Sequence, residues 1–322
     1  MTSPYGRLFV VLNPRAGRGA MERAWPRVER VLDEAGLDRD VVVTEHRGHA
    51  VEATRNAVEN GATFVVAVGG DGTIHEVVNG MMADEKPLNP DAVLGVVPAG
   101  TGSDFIKTFG IPADPAEAAK HLAGDHLWGR LDVGRVVCRG AHGDDVSRWF
   151  ANVGEAGLGA EVVRRAAKLP RRLGGNVYRL AALQEIIPMR PAEGRIEMHG
   201  RKARGVRVDT PLAPLVYEGA FDLLVVANCQ FFGGGMKVAP RAIPEDDMLD
   251  VLVAHVNRRE AVKLLKKMYG GNHVPSPKVA EYLASRISVT TSRAMTVEVD
   301  GEVIGSTPAV FDVVAAAIPF KV

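Results

Sequence analysis

The chain has 322 residues, enough for two domains, and hydrophobic residues make up 46% of it, enough for a packed core in each. Lys plus Arg and Asp plus Glu number 39 each; this net charge of zero argues against a nucleic-acid binder that relies on overall positive charge and leaves anionic partners to local patches. The only cysteines, Cys138 and Cys229, match no metal spacing and point to a reduced cytoplasmic setting, while Met1 to Gly6 lacks a secretory pattern and no apolar run reaches the roughly 18 residues of a membrane span.

In chain order, the first part alternates strand and helix signals. Arg7 to Leu12 is an apolar run ending at Asn13-Pro14. Met21 to Glu34 reads as a helix closed by Gly36, Asp40 to Thr44 as a short β-branched strand, and Ala50 to Asn60 as a helix closed by Gly61. The apolar run Thr63 to Val68 empties into Gly69-Gly70-Asp71-Gly72-Thr73 and a helix-like stretch from Ile74 to Asn79. Ala92 to Val97 is another buried strand, followed by Pro98 to Phe105. This alternation predicts a parallel, doubly wound α/β domain over 1–130, with ligands beyond the carboxyl ends of its strands.

From Leu131 onward, short turn-bounded strands dominate: Leu131 to Val137, Arg148 to Val153, Gly194 to His199, Gly205 to Val208, Phe221 to Ala227, Leu249 to His255, Ile287 to Thr291, Met295 to Val299 and Val310 to Val314. Helices are expected at Glu161 to Lys168, Val177 to Ile187 and Arg259 to Tyr269. Val279 to Val289 admits either element; its apolar residues fall on one parity, which favours strand. The pattern predicts a mainly antiparallel β domain over 131–322, whose last strand is free to return to the first domain.

A strand leading through glycines into a helix suits phosphate, because glycine permits close backbone approach and the helix start offers unpaired amides and a positive dipole end. Asp71 is repulsive toward a polyphosphate unless a cation or a proton intervenes, so the loop implies Mg²⁺ and phosphoryl transfer; a plain turn with a solvated aspartate is the alternative. Gly100-Thr101-Gly102-Ser103-Asp104 repeats the logic and would place Asp71 and Asp104 around a common cation. Asn13-Pro14-Arg15-Ala16-Gly17-Arg18-Gly19 suits phosphate or an ordinary turn, and Thr44 either reaches nucleotide or is merely exposed. Neither a P-loop nor an intact dinucleotide fingerprint is present.

In the second part, Asn228 to Met236 carries Gly233-Gly234-Gly235 beside apolar residues, as a lipid or acceptor cleft or a packed hairpin would. Pro244 to Asp250 holds four carboxylates, a cation loop or a solvated turn. Asp300-Gly301 reads as a hairpin turn leading to Glu302. Arg164, Arg165, Lys168, Arg171 and Arg172 flank Val162, Ala166, Leu169 and Leu173, as a solvated helix face or a membrane-facing basic segment would.

Gly69 to Gly80, Pro98 to Phe105, Asn228 to Met236 and Asp300-Gly301-Glu302, in this order and spacing, resemble the diacylglycerol kinase catalytic-domain family, with its YegS-like and BmrU-like bacterial lipid kinases and its sphingosine and ceramide kinases. The likeness runs from Asn13 to the C-terminus. It implies a nucleotide domain like that of 6-phosphofructokinases and NAD kinases, a C-terminal β-sandwich, and ATP and Mg²⁺ in the cleft between them. By motif, Asn13, Pro14, Arg15, Ala16, Gly17, Thr44, Gly69, Gly70, Asp71, Gly72, Thr73, Ile74, His75, Gly100 and Thr101 would hold ATP. Asp71 and Asp104 would organise the catalytic Mg²⁺, and Glu302 would be the general base toward a lipid hydroxyl. A structural Mg²⁺ would sit on Asp246 with main-chain oxygens of Ile243 and Met248. The chain departs from the family at Asp247, where Gly is usual, and at Ser103, where Asn is usual. The expected partner is a lipid at the inner membrane surface, diacylglycerol first and another lipid such as phosphatidylglycerol or a sphingoid base second. No nucleic acid is expected, and a homodimer is compatible with the sequence. NAD kinase activity and a silent nucleotide- or lipid-binding regulator are the remaining alternatives.

Overall fold

β3 (Phe64–Gly69) is buried along its whole length, as a parallel strand covered on both faces must be. In the computed structural model, which describes residues 3–99, 103–170, 176–201 and 212–322, this strand is central to the first of two compact units, Met1–Asp132 with Ala316–Val322; the second is Val133–Ala315.

In the first unit β1 (Leu8–Leu12), α1 (Ala16–Glu34), β2 (Arg39–Val43), α2 (His49–Glu59), β3 and α3 (Asp71–Met81) alternate. A small ribbon, β4 (Met82–Ala83) with β5 (Lys86–Pro87), β6 (Val93–Pro98), α4 (Phe105–Phe109) and α5 (Pro115–Ala119) complete it. The sheet order is β2-β1-β3-β6, all parallel, and the end of the last strand adds Phe320 and Lys321 in parallel beside Leu94 and Gly95. Leu8, Val10, Met21, Val28, Phe64, Val66 and Val97 form its core with neighbours from both layers. The short helices α4 and α5 were not legible in the sequence, since five residues carry little periodicity.

The second unit holds β7 (Gly129–Arg139, entering at its Val133), β8 (Asp145–Phe150), β9 (Val153–Gly157), α6 (Leu158–Ala166), α7 (Asn176–Ile186), β10 (Ala192–His199), β11 (Leu215–Phe221) and β12 (Leu223–Ala227). β13 (Leu249–Ala254), α8 (Arg258–Met268), β14 (Val279–Ala284), β15 (Arg286–Thr291), β16 (Thr296–Val299) and most of β17 (Glu302–Lys321) follow. The order β14-β13-β12-β9-β16-β17 is antiparallel, and β17 also pairs β15, which leads to β10 and β11. Val136, Phe150, Phe221, Val251, Ile287, Val297 and Phe311 fill the space between the sheet faces. A second core lies where α6, α7 and α8 cover β9, β12 and β13.

The fold class is the expected one, and Val279 to Val289 is strand, as its parity favoured, but in two pieces, β14 and β15, divided at Ser285. The strand expected over Arg148 to Val153 is broken after Phe150, because the amides of Ala151, Asn152 and Val153 all donate to the Asp300 carboxylate instead of continuing one ladder. β11 was not expected at all. The expected strand Gly205 to Val208, and Gly100, Thr101, Gly102, Arg171, Arg172 and Leu173, lie outside the described residues.

Candidate active site

The parallel sheet brings the ends of β1, β2, β3 and β6 to one edge of the first unit. Asn13 follows β1 and spans two loops: its main-chain N–H reaches Val68 O at 2.9 Å, its Oδ1 accepts the Arg15 N–H at 3.1 Å, and its Nδ2 donates to Thr73 Oγ1 at 3.1 Å. Pro14 and Arg15 continue this loop and Ala16 opens α1, where Gly17, Arg18 and Gly19 keep left-handed backbone. Thr44 extends β2 by donating its N–H to Leu12 O at 2.8 Å, which sets it on the same edge.

The glycines here divide by what holds them. Gly17 has φ +60°, and a β-carbon on it would stand 2.5 Å from Ala99 O; on Gly69 a β-carbon would meet Thr73 Oγ1 at 2.3 Å. Internal packing explains both. Gly70 and Gly72 have ordinary backbone angles, and a β-carbon on either would meet nothing within 4 Å. Nothing internal to the chain requires glycine there. These two residues flank the start of α3, whose first amides, those of Asp71 and Gly72, have no carbonyl behind them within the helix. Ile74 and His75 turn their side chains into the interior at 2% and 3% exposure, so only their main chain is on offer to a ligand.

Asp71 and the Ser103–Asp104 segment meet. Oδ1 of Asp71 accepts from Ser103 Oγ (2.5 Å), Asp104 N (3.1 Å) and Phe105 N (3.2 Å), and Oδ2 accepts from Asp104 N (2.9 Å). The carboxylate therefore caps α4 from a distant loop, since Asp104 at the cap position makes no capping bond of its own. Ser103, standing where the family usually has Asn, supplies a donor to this contact. Burial, and then the Asp104 charge, push the Asp71 carboxyl up to about 6. Asp104 is itself buried and pairs with Lys107 Nζ at 2.6 Å. The sequence sets Asp71 beside a phosphate and, with Asp104, around a common cation; the structure adds that its carboxylate ties the two loops together by hydrogen bonds. Lys107 was missed, as was Glu76, which accepts the Gly48 and Ala50 N–H groups at the start of α2 (3.0 and 3.2 Å). An acid at the sixth residue of a helix carries no sequence signal for that.

In the second unit, Val299 pairs with Glu302 across a two-residue turn, and Asp300 and Gly301 have φ +48° and +90°, the geometry that makes Asp-Gly a hairpin signal. Asp300 is more than a turn residue. Its Oδ2 accepts from Ala151 N (3.0 Å) and its Oδ1 from Asn152 N (3.1 Å) and Val153 N (3.0 Å). Asn228 joins the same place, donating Nδ2 to Ala151 O at 2.9 Å, while Asn152 Nδ2 reaches Phe231 O at 2.9 Å. Gly233, Gly234 and Gly235 all lie in the left-handed region. They fold Phe232 and Met236 inward, where with Val162, Ile186, Leu252 and Leu265 they line an apolar cavity of about 100 Å³.

Asp246 Oδ1 accepts the Met248 N–H at 3.1 Å in an Asx turn. Asp247 has φ +63°, a region that glycine enters freely and aspartate tolerates, so the exchange leaves the turn intact. Among the described residues no group of three or more His, Cys, Asp or Glu side chains could hold a metal ion; the expected site has one carboxylate and two main-chain oxygens and needs no such group. Arg165 pairs with Glu185 at 2.5 Å and Arg164 with Glu161, so these two arginines of the basic segment are engaged within their own unit. Cys138 and Cys229 are buried free thiols, Cys138 pushed up to about 11 by burial.

The description "Diacylglycerol kinase catalytic domain" matches residues 7–136, and "YegS C-terminal NAD kinase beta sandwich-like domain" matches 152–321, more than half of the chain. The chain belongs to the diacylglycerol kinase and YegS-like lipid kinase family. It is a kinase, and its family implies ATP as a substrate. The diacylglycerol kinase of Bacillus subtilis is 27% identical over 307 residues, 95% of this chain and 92% of that one. A "Probable lipid kinase YegS-like" from Xanthomonas oryzae pv. oryzae is 30% identical over 276 residues, 84% of this chain and 82% of the other. In fold, a diacylglycerol kinase from Bacillus anthracis superposes with a TM-score of 0.75 at 24% identity, covering 99% of this chain and 98% of that one. The first family match contains Asn13, Asp71 and Asp104, and the second contains Asn228 to Met236 and Asp300-Gly301-Glu302. Among the described residues no helix is long and apolar enough to cross a membrane.

Proposed function

We propose that this kinase transfers the γ-phosphoryl group of ATP to a lipid hydroxyl, with Mg²⁺, and that diacylglycerol is the acceptor, giving phosphatidic acid. The open space at Gly70 and Gly72 carries the nucleotide half of this reading: two glycines that nothing in the chain requires stand at a helix start with unpaired amides, a cradle that side chains would fill and a triphosphate suits. Asp71 and Asp104, oxygen donors close enough for one charge to shift the other, fit a hard cation. Mg²⁺ bound there would offset the charge of the triphosphate. Glu302 takes the proton of the acceptor hydroxyl.

The apolar cavity supports a lipid as the acceptor, since its mainly apolar lining suits an acyl chain. α7 and the residue that follows it also leave Leu180, Leu183 and Ile187 exposed, Ile187 by 68%, with Lys266 of α8 near Leu183. Such a face suits contact with the inner surface of the membrane from the cytoplasmic side. The deciding experiment offers [γ-³²P]ATP, Mg²⁺ and a mixed lipid extract, with products identified by mass spectrometry. Phosphatidic acid is the expected product; label in another lipid would move the acceptor, and label in none would overturn the reading.

We also place a structural Mg²⁺ on Asp246 with main-chain oxygens of Ile243 and Met248, an all-oxygen set of the kind this ion prefers. Asp246→Ala should lower Tm in Mg²⁺ by several degrees and have little effect in EDTA, because a ligand that binds only the native state stabilises it. Equal shifts in both buffers would leave a solvated turn.

A further inference from the structure

Glu155 on β9 and Glu298 on β16 stand directly opposite each other in the sheet, at 4% and 0% exposure. The two carboxyls are within hydrogen-bonding reach. Glu298 Oε2 accepts the Gly301 N–H at 2.9 Å, while its Oε1 is buried and faces no donor. Gly159 of α6 packs so closely on Glu155 that a β-carbon there would stand 1.9 Å from Oε2. From β12 the residue in register with Glu155 is Val225, and the other side of Glu155 borders the apolar cavity. The remaining charge felt by the pair is another acid, Asp300, itself held by three amides.

Two carboxylates in contact in apolar surroundings cannot both be ionised. A proton between them turns the donorless Oε1 into a hydrogen-bonded atom and keeps Oε2 on Gly301 N–H. Gly301 is the turn residue immediately before Glu302. We propose that Glu155 and Glu298 share one proton and so act as a positioning pair, fixing the Asp300-Gly301 turn from which the general base Glu302 projects. The proposal rests on the role given to Glu302 above. Burial pushes Glu155 up to about 8, and burial with the charge of Glu155 raises Glu298 well above the usual carboxylate range, so the pair keeps its proton at neutral pH.

The native pair holds its proton well above the ordinary 4.5 near which the unfolded chain releases it, because burial and the neighbouring acid both oppose its loss. Above that value the native state therefore binds more protons, and stability falls as pH rises until the native pair releases its own.

The test compares Glu155→Gln, Glu298→Gln and Glu298→Leu with the wild type, in Tm and in kcat for lipid phosphorylation from pH 5 to 9.5, each profile normalised to its own maximum. In Glu155→Gln an amide replaces the shared proton. Its loss of Tm between pH 5 and 8 should be smaller than in the wild type, and the alkaline fall in kcat should move up by about one pH unit or vanish. Glu298→Leu removes the acceptor of Gly301 N–H and should lower kcat about tenfold at unchanged KM for ATP, with Glu298→Gln recovering most of that loss. An unchanged Tm profile or an unchanged alkaline limb in Glu155→Gln overturns the proposal, even if Glu298→Leu fails to fold. A wild type that phosphorylates no lipid overturns the kinase reading instead, and the Tm profile then decides whether the pair shares a proton.

Discussion

The Glu302→Gln variant is expected to lose roughly 10²-fold or more in kcat while its ATP affinity stays nearly unchanged. The turn before Glu302 is held by interactions the substitution does not touch: Asp300 grips the amides of Ala151, Asn152 and Val153, and Glu298 grips that of Gly301. Glu302 is partly exposed at the head of β17, so an amide of the same shape needs no repacking. What disappears is basicity. If the side chain takes the proton of the acceptor hydroxyl in the transition state, the loss falls on kcat and on kcat/KM for the lipid, and the KM for ATP and Tm stay put. Steady-state kinetics with both substrates varied, alongside a melting curve, separate these quantities. Near-normal turnover in this variant would falsify the general-base role and leave the family membership untouched.

How far the sequence reveals this site depends on whether a residue's reason lies close to it in the chain. The glycine loops after β1 and β3 were readable because glycine reports backbone requirements locally, and Asp300-Gly301 was readable as a turn for the same reason. The attachments were not. Asp71 meets Ser103, Asp104 and Phe105, 32 to 34 residues away, and Asp300 meets the 151–153 amides from 147 to 149 residues away. No local pattern announces such a bond. The same contact explains the misread strand: Arg148 to Val153 has the composition of one continuous element, and only a distant carboxylate interrupts it. Glu155 and Glu298 escaped notice because each alone reads as a polar residue on a strand face open to water; both faces of their strands are covered. Asp247 was a departure on paper, yet its left-handed backbone shows why two residue types serve there.

Gly72→Val is expected to abolish ATP binding with little change in Tm, and Gly17→Val to lower Tm. Both loops are glycine-rich, but the packing differs. A side chain at Gly17 would collide with Ala99 O and would have to occupy φ +60°, which a β-branched residue strongly resists. That cost falls on the fold, with or without nucleotide. At Gly72 the backbone is ordinary and the space beyond it is open, so the empty protein accommodates valine at only the modest helix-propensity difference between the two residues. The valine methyls would then fill the space in which a phosphate must approach the first amides of α3. Isothermal titration with a non-hydrolysable ATP analogue, paired with thermal melts of both variants, tests the distinction. Retained affinity in a well-folded Gly72→Val protein would show that the phosphate does not lie on this turn, and nucleotide binding would then have to be sought at the loop after β1.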